Sequence, residues 1–449
     1  MSVVILLSFR GFIERLRTAG LVVGIEEEVS VDYQIAKITN EIVDKKAVMF
    51  HKVTNPSGFK YGVKVISGIC GDKERLKIGL KSEESLERTI LNGLERPISP
   101  VIKGGFPWIT KIENPNLRKI LPIVRHYDCE PGPYITAGVI VSKIPGTETR
   151  TVSYHRMLLR GENRVTARIV EGRLLGEAFK KAESQNTPLD VLICLGLDAA
   201  SLIASATPVK EIDKFSLAGG IKGRPLEVTV MGNGIEAPLS SEIVMEGRII
   251  PNVRDKEGPF YEILGVDEER LQPVIEINRV YLRDEPIYYD ILPAASEHET
   301  LMGVSIGALI YREVSKFARV TGVSMSPAGS GWIEVIIGIK KEFDGQPLQV
   351  GLAAITTHKS LKSVIIVDED IDPNNYIQVM KSVNQRAYPP LDYHILSGAM
   401  GSTIEHSELR FVDINGLKLM RLPKSKIIID ATIKGPKKYF SRCGFPESV

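Results

Sequence analysis

The sequence lacks a long hydrophobic run, a surplus of one charge and any abundance of cysteine. No stretch of about 18 consecutive apolar residues occurs, so a membrane-spanning helix is not expected. The 57 Lys and Arg residues against 55 Asp and Glu leave a formal charge of +2, without the basic excess of a dedicated nucleic-acid binder. With 43% hydrophobic and 25% charged residues among 449, the composition is that of a globular protein of about three domains.

Cysteine and histidine are scattered as well as scarce. The four cysteines form no CxxC pair, and no two of the seven histidines stand at metal-ligand spacing. A zinc finger or a disulfide framework is therefore not expected, and a cytoplasmic location is. The first residues lack the basic segment and the cleavage site of a signal peptide. The P-loop, GxGxxG, HExxH and GxSxG fingerprints are also absent, so no common motif reveals the chemistry.

Hydrophobic periodicity predicts three regions. Residues 1–115 alternate helix-like and strand-like segments, beginning with a helix capped by Ser8. From 116 to 300 the strand-like runs are short and broken by Gly and Pro, which predicts a β-rich domain and suggests a barrel. Residues 301–449 return to α/β, with buried strands of the parallel type such as 363–368. The end, at 442–449, is expected to be a loose tail.

Two segments carry residues suited to acid–base chemistry. In EGPFYE, Glu257 and Glu262 would point to opposite faces of a straight strand, but the Gly-Pro turn between them lets both converge on one site. In TVSYHRM, which alternates as a strand does, Arg156 could hold a carboxylate or phosphate in a bidentate fork. Spacing alone favours the simpler alternatives, which are two solvated loop carboxylates and a surface arginine with a buried stem.

Several segments, in the same order along nearly the whole chain, resemble the UbiD family of decarboxylases. They are PGPYITAG (131–138), TVSYHRM (151–157), ATPV (206–209), SSEIVMEG (240–247), EGPFYE (257–262), LPAASEHETLMG (292–303) and GAMGSTIEHS (398–407). EHETLMG and GSTIEHS are more similar to the archaeal branch that decarboxylates anhydromevalonate phosphate. The resemblance implies a mixed α+β fold with an N-terminal α/β domain (1–115), a central FMN-binding split β-barrel (116–300) and a C-terminal α/β domain used for dimerisation (301–449).

The resemblance also implies a cofactor and a set of catalytic residues. Family members use prenylated FMN, supplied by a flavin prenyltransferase, whose ylide adds to the alkene of an α,β-unsaturated acid before CO₂ leaves. The family's catalytic trio corresponds to Arg156, which orients the substrate carboxylate, Glu257, which holds Arg156, and Glu262, which delivers the proton. Ser153, Tyr154 and His155 would lie beside the flavin with Arg156.

The metal site departs from the family pattern. Relatives hold Mn²⁺ against the cofactor phosphate with an Asn, a His and a Glu, and these positions correspond to Thr151, Arg173 and Lys214, or to Gly172 for the second after a one-residue shift. Such residues do not suit a divalent cation, so no metal ligand is predicted. Either Arg173 and Lys214 pair directly with the phosphate, or the chain is a cofactor-free paralogue with a structural or regulatory role. The intact trio favours the enzyme.

The sequence therefore predicts a cytoplasmic carboxy-lyase, forming a homodimer or a higher homo-oligomer, with no nucleic-acid or membrane partner. The expected substrate is trans-anhydromevalonate phosphate, giving isopentenyl phosphate, and an aromatic or other acrylic acid is the alternative. Arg168 and Lys222 are candidates for binding a substrate phosphate. Glu297 and His298 are candidates for the pocket wall, although a core or loop role for His298 is an equal alternative.

Overall fold

The computed structural model describes residues 8–411, 419–436 and 439–440. The first seven residues, Cys443 and the predicted tail at 442–449 lie outside the described residues. The chain divides into two compact units, Met1–Leu301 and Met302–Val449. Within the described ranges, no helix is both long enough and apolar enough to cross a membrane. The division into three domains at 115 and 300 stays a prediction.

The first unit contains both helices and strands. Its helices are α1 (Phe9–Thr18), α2 (Gln34–Ile42), α3 (Lys73–Leu80), α4 (Leu86–Glu95), α5 (Leu117–Ile120), α6 (Leu174–Ser184), α7 (Ala199–Ala206) and α8 (Lys214–Lys222). Its strands are β1 (Val22–Ser30), β2 (Ala47–Thr54), β3 (Lys60–Tyr61), β4 (Lys64–Ser67), β5 (Val101–Ile102), β6 (Thr110–Glu113), β7 (Tyr134–Ile135), β8 (Val139–Lys143), β9 (Arg150–Tyr154), β10 (Met157–Arg160), β11 (Arg164–Ala167), β12 (Leu189–Leu195), β13 (Glu227–Val230), β14 (Glu236–Pro238), β15 (Ile243–Glu257), β16 (Phe260–Glu262), β17 (Gly265–Asp267), β18 (Arg270–Leu282) and β19 (Ile287–Tyr289).

The helix α9 (Ser296–Val314) begins in the first unit and ends in the second. The second unit continues with β20 (Arg319–Met325), a 3₁₀ turn (Pro327–Gly329), β21 (Glu334–Lys340), α10 (Gln346–Thr357), β22 (Ser363–Asp368), α11 (Tyr376–Arg386), α12 (Pro389–Asp392), β23 (Tyr393–Ser397), β24 (Leu409–Phe411), β25 (Leu419–Arg421) and β26 (Ser425–Asp430).

The N-terminal part of the first unit is a mixed sheet in the order β1-β2-β4-β19, with β3 paired to β2. The hydroxyl of Ser8 accepts from the backbone N–H of Gly11 and caps α1, as predicted. The apolar face predicted for this helix, from Phe9 to Leu16, is buried. The apolar run at 61–70 does not form one continuous strand, because the chain breaks between β3 and β4 and Gly68 follows β4 with a φ of 83°.

The predicted β-rich centre is an antiparallel sheet in the order β7-β10-β11-β18-β15-β12-β8-β9, with β6 paired to β18. Strand β9 is the last in this order and β10 the second, yet only His155 and Arg156 separate them in the sequence. Both pair with the segment 134–143, β9 with β8 and β10 with β7, so the two ends of the order come together at this point. The continuous strand predicted across these two residues is therefore wrong. The strand is interrupted where its partner segment is interrupted, between β7 and β8, and the local alternation of side chains does not mark that place.

The second unit contains a five-stranded sheet in the order β20-β21-β22-β26-β23. Its inner pairs β21–β22 and β22–β26 are parallel, as the apolar runs predicted. Side chains from both faces of β21 are buried, because Val335, Ile337 and Ile339 enter one core cluster while Ile336 enters another. The elements of the two units confirm the mixed α+β fold expected from the sequence.

Candidate active site

Arg156 lies at the crossing between β9 and β10, with only 8% of its side chain exposed. Its Nε donates to Oε1 of Glu257 at 2.8 Å, and its Nη2 donates to Oε2 at 3.0 Å. This bidentate fork is the strongest geometry that a guanidinium and a carboxylate can form. The surface role that spacing alone favoured for Arg156 is therefore wrong, as is a solvated position for Glu257, which is fully buried.

Two further carboxylates bind the same guanidinium. Nη1 of Arg156 donates to Oε1 of Glu262 at 2.7 Å, and Nη2 also donates to Oδ2 of Asp267 at 2.8 Å. The hairpin of β16 and β17 makes this possible, because it folds the chain back with Glu262 opposite Gly265. At the turn before it, Gly258 has a φ of 92°, and a Cβ there would lie 2.9 Å from the carbonyl oxygen of Glu268.

Asp267 is the member of this site that the sequence analysis missed. It follows Glu262 by the same five residues that separate Glu262 from Glu257, and Gly265 between them marks a hairpin. That repeated spacing around a glycine could have indicated Asp267 from the sequence alone. The structure thus brings the predicted trio together and adds a third acid to it.

Aromatic side chains support the ion cluster. The Phe260 ring lies under the guanidinium of Arg156, 4.4 Å from its central carbon, and packs edge-on against Tyr134. The Tyr134 hydroxyl donates to Glu257 at 3.2 Å and accepts from the backbone N–H of Gly258 at 3.0 Å. Burial acts to lower the pKa of Arg156, but its acidic neighbours, Glu257 foremost, raise it above its usual value. The guanidinium therefore stays charged at every physiological pH.

Glu297 and His298, the candidates for the pocket wall, make different contacts. His298 Nε2 lies 3.9 Å from Glu262, and its Nδ1 accepts from the backbone N–H of Ala294. Burial lowers the pKa of His298, so the ring is neutral with its proton on Nε2, toward Glu262. Glu297 instead accepts from the backbone N–H groups of Gly68 and Cys70, each at 2.7 Å. Burial raises the pKa of Glu297 to about 7, and its contacts are those of a structural residue.

Ser153 and His155 form a second polar group, separated from the trio by the backbone of Arg156. His155 Nδ1 donates to the carbonyl of Arg168 at 2.9 Å, and its Nε2 accepts from the Ser153 hydroxyl at 2.9 Å. Burial lowers the pKa of His155 to about 4, so the ring is neutral. Tyr154 belongs to the opposite face of β9, and its buried hydroxyl has no hydrogen-bond partner among the described residues. The structure therefore does not bring Tyr154 together with Ser153 and His155.

Arg173 and Lys214 lie close to His155 at the beginnings of two helices. Arg173 caps α6, and Lys214 is the first residue of α8. Neither side chain has an ion-pair partner within the part of the chain that the structure describes, and Lys214 Nζ donates only to the carbonyl of Ser205, at 3.1 Å. Burial, assisted by Arg173, lowers the pKa of Lys214 to about 7. Two cations without counter-charges at two helix N-termini form a site for an anion.

The same location does not suit a divalent metal. Of its three candidate ligands, Thr151 offers a buried hydroxyl with no hydrogen-bond partner among the described residues, and the other two, Arg173 and Lys214, are cationic. Nowhere in the described ranges do three or more His, Cys, Asp or Glu side chains cluster as metal ligands would. A hard cation requires anionic or carbonyl oxygens, so these residues match a phosphate group and not Mn²⁺.

Family sequence models described as 3-octaprenyl-4-hydroxybenzoate carboxy-lyase domains match three stretches of the chain. The N-terminal domain matches residues 13–91, the Rift-related domain 106–296 and the C-terminal domain 299–431. The chain belongs to the UbiD family. It is an enzyme of the carboxy-lyase class, as the resemblance of its motifs implied.

Archaeal UbiD relatives match most of the chain. The anhydromevalonate phosphate decarboxylase of Methanosarcina mazei is 34% identical over 405 residues, which cover 89% of this chain and 92% of that protein. The protein of the same name from Methanothermobacter thermautotrophicus is also 34% identical, covering 89% of this chain and 93% of its own length. The archaeal branch suggested by EHETLMG and GSTIEHS is thus found among the relatives.

Solved UbiD structures share the fold over almost the full length. The UbiD-class enzyme HmfF from Pelotomaculum thermopropionicum, in complex with FMN, is 28% identical and matches with a TM-score of 0.89, covering 98% of both chains. An evolved dimeric form of HmfF in complex with prFMN is 27% identical and has a TM-score of 0.87, again with 98% of both chains covered. The likeness to these UbiD-class structures therefore extends over 98% of this chain.

Proposed function

We propose that this enzyme decarboxylates a small α,β-unsaturated acid without net oxidation, using prenylated FMN. The observation that carries the proposal is the buried Arg156, held by Glu257 on one side and bonded to Glu262 on the other. The structures of HmfF with prFMN and with FMN support the choice of cofactor. A cofactor-free paralogue would have no use for a desolvated guanidinium facing three acids.

The residues around His155 suit the cofactor's phosphate. We assign Arg173 and Lys214 to direct pairing with that phosphate, with the hydroxyl of Thr151 as an additional donor and no metal between them. The buried, unpartnered Thr151 hydroxyl supports this assignment, since such a group needs an acceptor. When bound, prenylated FMN supplies the carbon centre that adds to the substrate's alkene and stores the electrons left behind by CO₂.

The chain's own contribution begins with the orientation of the substrate. A guanidinium has five N–H donors. Four of those on Arg156 are taken by Glu257, Glu262 and Asp267, so one N–H on Nη1 is left without an acceptor among the described residues. A substrate carboxylate would bind at Nη1 and compete there with Glu262. Glu257 and Asp267 would keep the guanidinium in place during this exchange.

Proton delivery falls to Glu262. Once the substrate carboxylate takes its position on Arg156, Glu262 is released beside the reacting carbon, and a proton on its carboxyl group can be transferred to that carbon after CO₂ leaves. The N–H of the neutral His298 lies 3.9 Å from the other oxygen of Glu262 and can orient that carboxyl group, which is 15% exposed and can regain its proton from water. Glu257 stays with Arg156 and acts as a positioning residue.

For the substrate, we propose trans-anhydromevalonate phosphate, with isopentenyl phosphate as the product. The two archaeal relatives at 34% identity support this choice. An aromatic or acrylic acid is the alternative, and the phenolic acid decarboxylase of Bacillus subtilis, 25% identical over 410 residues, represents it. The cytoplasmic location, the prenyltransferase as cofactor supplier and the homo-oligomeric state stay predictions.

Native mass spectrometry of the protein co-expressed with a flavin prenyltransferase tests the cofactor and oligomer together. We expect one prenylated FMN per subunit, no stoichiometric Mn²⁺ and more than one subunit per particle. Assays of CO₂ release then compare the phosphorylated acid with cinnamate-type acids. A colourless protein without flavin mass would contradict the enzymatic proposal and favour the structural paralogue.

A further inference from the structure

Arg168 occupies the space between the ion cluster of Arg156 and the polar group around His155. Its backbone N–H donates to the carbonyl of Arg156 at 3.1 Å, and its own carbonyl accepts from His155 Nδ1 at 2.9 Å. Both bonds fix the backbone of Arg168 at the site, just beyond the end of β11. Its side chain is one-fifth exposed, so a small ligand can reach it.

The guanidinium of Arg168 makes one long ion pair and no hydrogen bond within the described part of the chain. Its Nε lies 3.9 Å from Oδ2 of Asp267. That carboxylate is mainly engaged by other arginines, since Oδ2 accepts from Arg156 at 2.8 Å and Oδ1 accepts from Arg270 at 2.5 Å. Burial, and then the proximity of Arg270, lower the pKa of Arg168, and the shared charge of Asp267 does not offset them.

We propose that Arg168 binds the phosphate group of the substrate while Arg156 binds the carboxylate. This inference rests on the proposed decarboxylation and identifies the residues that select a phosphorylated acid. A guanidinium with its whole fork of donors free is suited to bidentate recognition of a phosphate. Lys222, the other candidate from the sequence, is held by Asp198 at 2.9 Å and is not available.

Two substrates separate phosphate binding from chemistry. One is the phosphorylated unsaturated acid, and the other is the same acid with a hydroxyl in place of the phosphate. For Arg168→Gln we expect KM for the phosphorylated acid to rise roughly tenfold to a hundredfold, the range for losing a charge-assisted hydrogen bond, with little change in kcat. The kcat/KM for the hydroxyl analogue should stay as in the wild type. Equal losses on both acids would overturn the inference and leave the proposed decarboxylation intact.

Calorimetry with the saturated phosphorylated acid, which cannot react, provides a readout independent of turnover. The holoenzyme is used so that the flavin phosphate occupies the site at Arg173 and Lys214. We expect Arg168→Gln to weaken this binding by the same factor as it raises KM. If the wild type binds this ligand in an Arg168-dependent manner but decarboxylates neither acid, the inference stands and the proposed function fails. Equal affinity in wild type and variant would overturn the inference.

Arg164→Gln is the matched control. Arg164 begins the same strand that Arg168 follows, but it pairs with Glu276 at 2.9 Å and is mostly exposed. It should leave both KM values and the calorimetric affinity unchanged. Arg168→Lys should restore part of the affinity, because it keeps the charge and loses the fork.

Discussion

The carboxylate of Asp267 joins Arg156 to Arg270, with one oxygen 2.8 Å from Nη2 of Arg156 and the other 2.5 Å from Nη1 of Arg270. It is almost completely buried, and burial alone would raise its pKa. The two arginines outweigh this effect and lower the pKa of Asp267. Asp267 therefore holds Arg156 from the side opposite Glu262.

Replacing Asp267 with Asn should impair both activity and stability. The amide keeps one acceptor oxygen and turns an N–H₂ donor toward an arginine, so one guanidinium loses its partner. We expect turnover to fall roughly tenfold or more, because Arg156 shifts, and the free energy of unfolding to fall by about 1–3 kcal/mol. Assays of CO₂ release and thermal melting measure these effects. Asp255→Asn, at a half-exposed position on β15, is the control, and equal behaviour of the two variants would contradict the positioning role.

Glu262→Gln and Glu257→Gln should differ in their effects on turnover and on melting temperature. Glu262→Gln removes the proposed proton donor, so we expect kcat to fall by roughly 10²–10⁴ while the melting temperature changes little. Glu257→Gln breaks the bidentate fork in a fully buried position, so both turnover and melting temperature should fall. Reactions in D₂O add a direct check. The rate at which deuterium enters the product should be lower for Glu262→Gln than for the wild type. Full activity in Glu262→Gln would exclude it as the donor.

Lys214 should make flavin binding depend on pH. Its pKa is about 7 in the flavin-free protein, against 10.5 ordinarily, so above pH 7 it is increasingly neutral. A bound phosphate requires the charged form, so binding then takes up a proton and Kd should rise with pH, by at most about tenfold per unit. Fluorescence titrations of FMN at pH 7 and pH 9 measure this. Lys214→Arg, charged at both values, should bind FMN without the pH dependence, and a wild-type Kd that is constant would contradict the assignment.

The same shift predicts the stability of the flavin-free protein. Between pH 7 and pH 10.5 the unfolded chain binds the proton of Lys214 more tightly than the folded chain does. The contribution of Lys214 to the free energy of unfolding therefore rises with pH across this window. The comparison of Lys214→Gln with the wild type in chemical denaturation at both ends of the window isolates it.

Lys214→Glu tests whether the cations replace a metal. The substitution places a carboxylate next to the phosphate site, so FMN binding should weaken by at least tenfold without metal, and added Mn²⁺ should restore part of it. Lys214→Gln loses the same charge without gaining a ligand, so Mn²⁺ should not rescue it. Tight stoichiometric Mn²⁺ in the purified wild type, by elemental analysis, would contradict the direct pairing of Arg173 and Lys214 with phosphate.

Local patterns predicted the elements that local forces determine. The Ser8 cap and the apolar face of α1 are short-range features, and the run at 363–368 coincides with β22 because a strand buried on both faces needs no alternation. The break at Arg156 has no such local mark. It depends on the pairing of β9 with β8 and of β10 with β7, which the alternation of residues within 151–157 does not encode.

The candidate site depends on long-range contacts even more than the strand boundaries do. Arg156 meets Glu257, Glu262 and Asp267 across 101, 106 and 111 residues, so no spacing rule could join them. The family resemblance identified the first two acids because its motifs encode those distances in advance. Asp267 and the unused donors of Arg168 are not part of the motifs quoted for the resemblance, and only the folded arrangement reveals them.

Arg156 lies between β9 and β10, so turnover depends on whether both strands stay paired in the sheet. Only His155 and Arg156 connect β9 to β10, so fraying of either strand pulls the guanidinium away from its acids. On gradual warming, inactivation should therefore come before the far-ultraviolet circular dichroism signal is lost. A ligand that contacts both Arg156 and the neighbouring strands would hold them together and reduce the temperature difference between inactivation and loss of the circular dichroism signal.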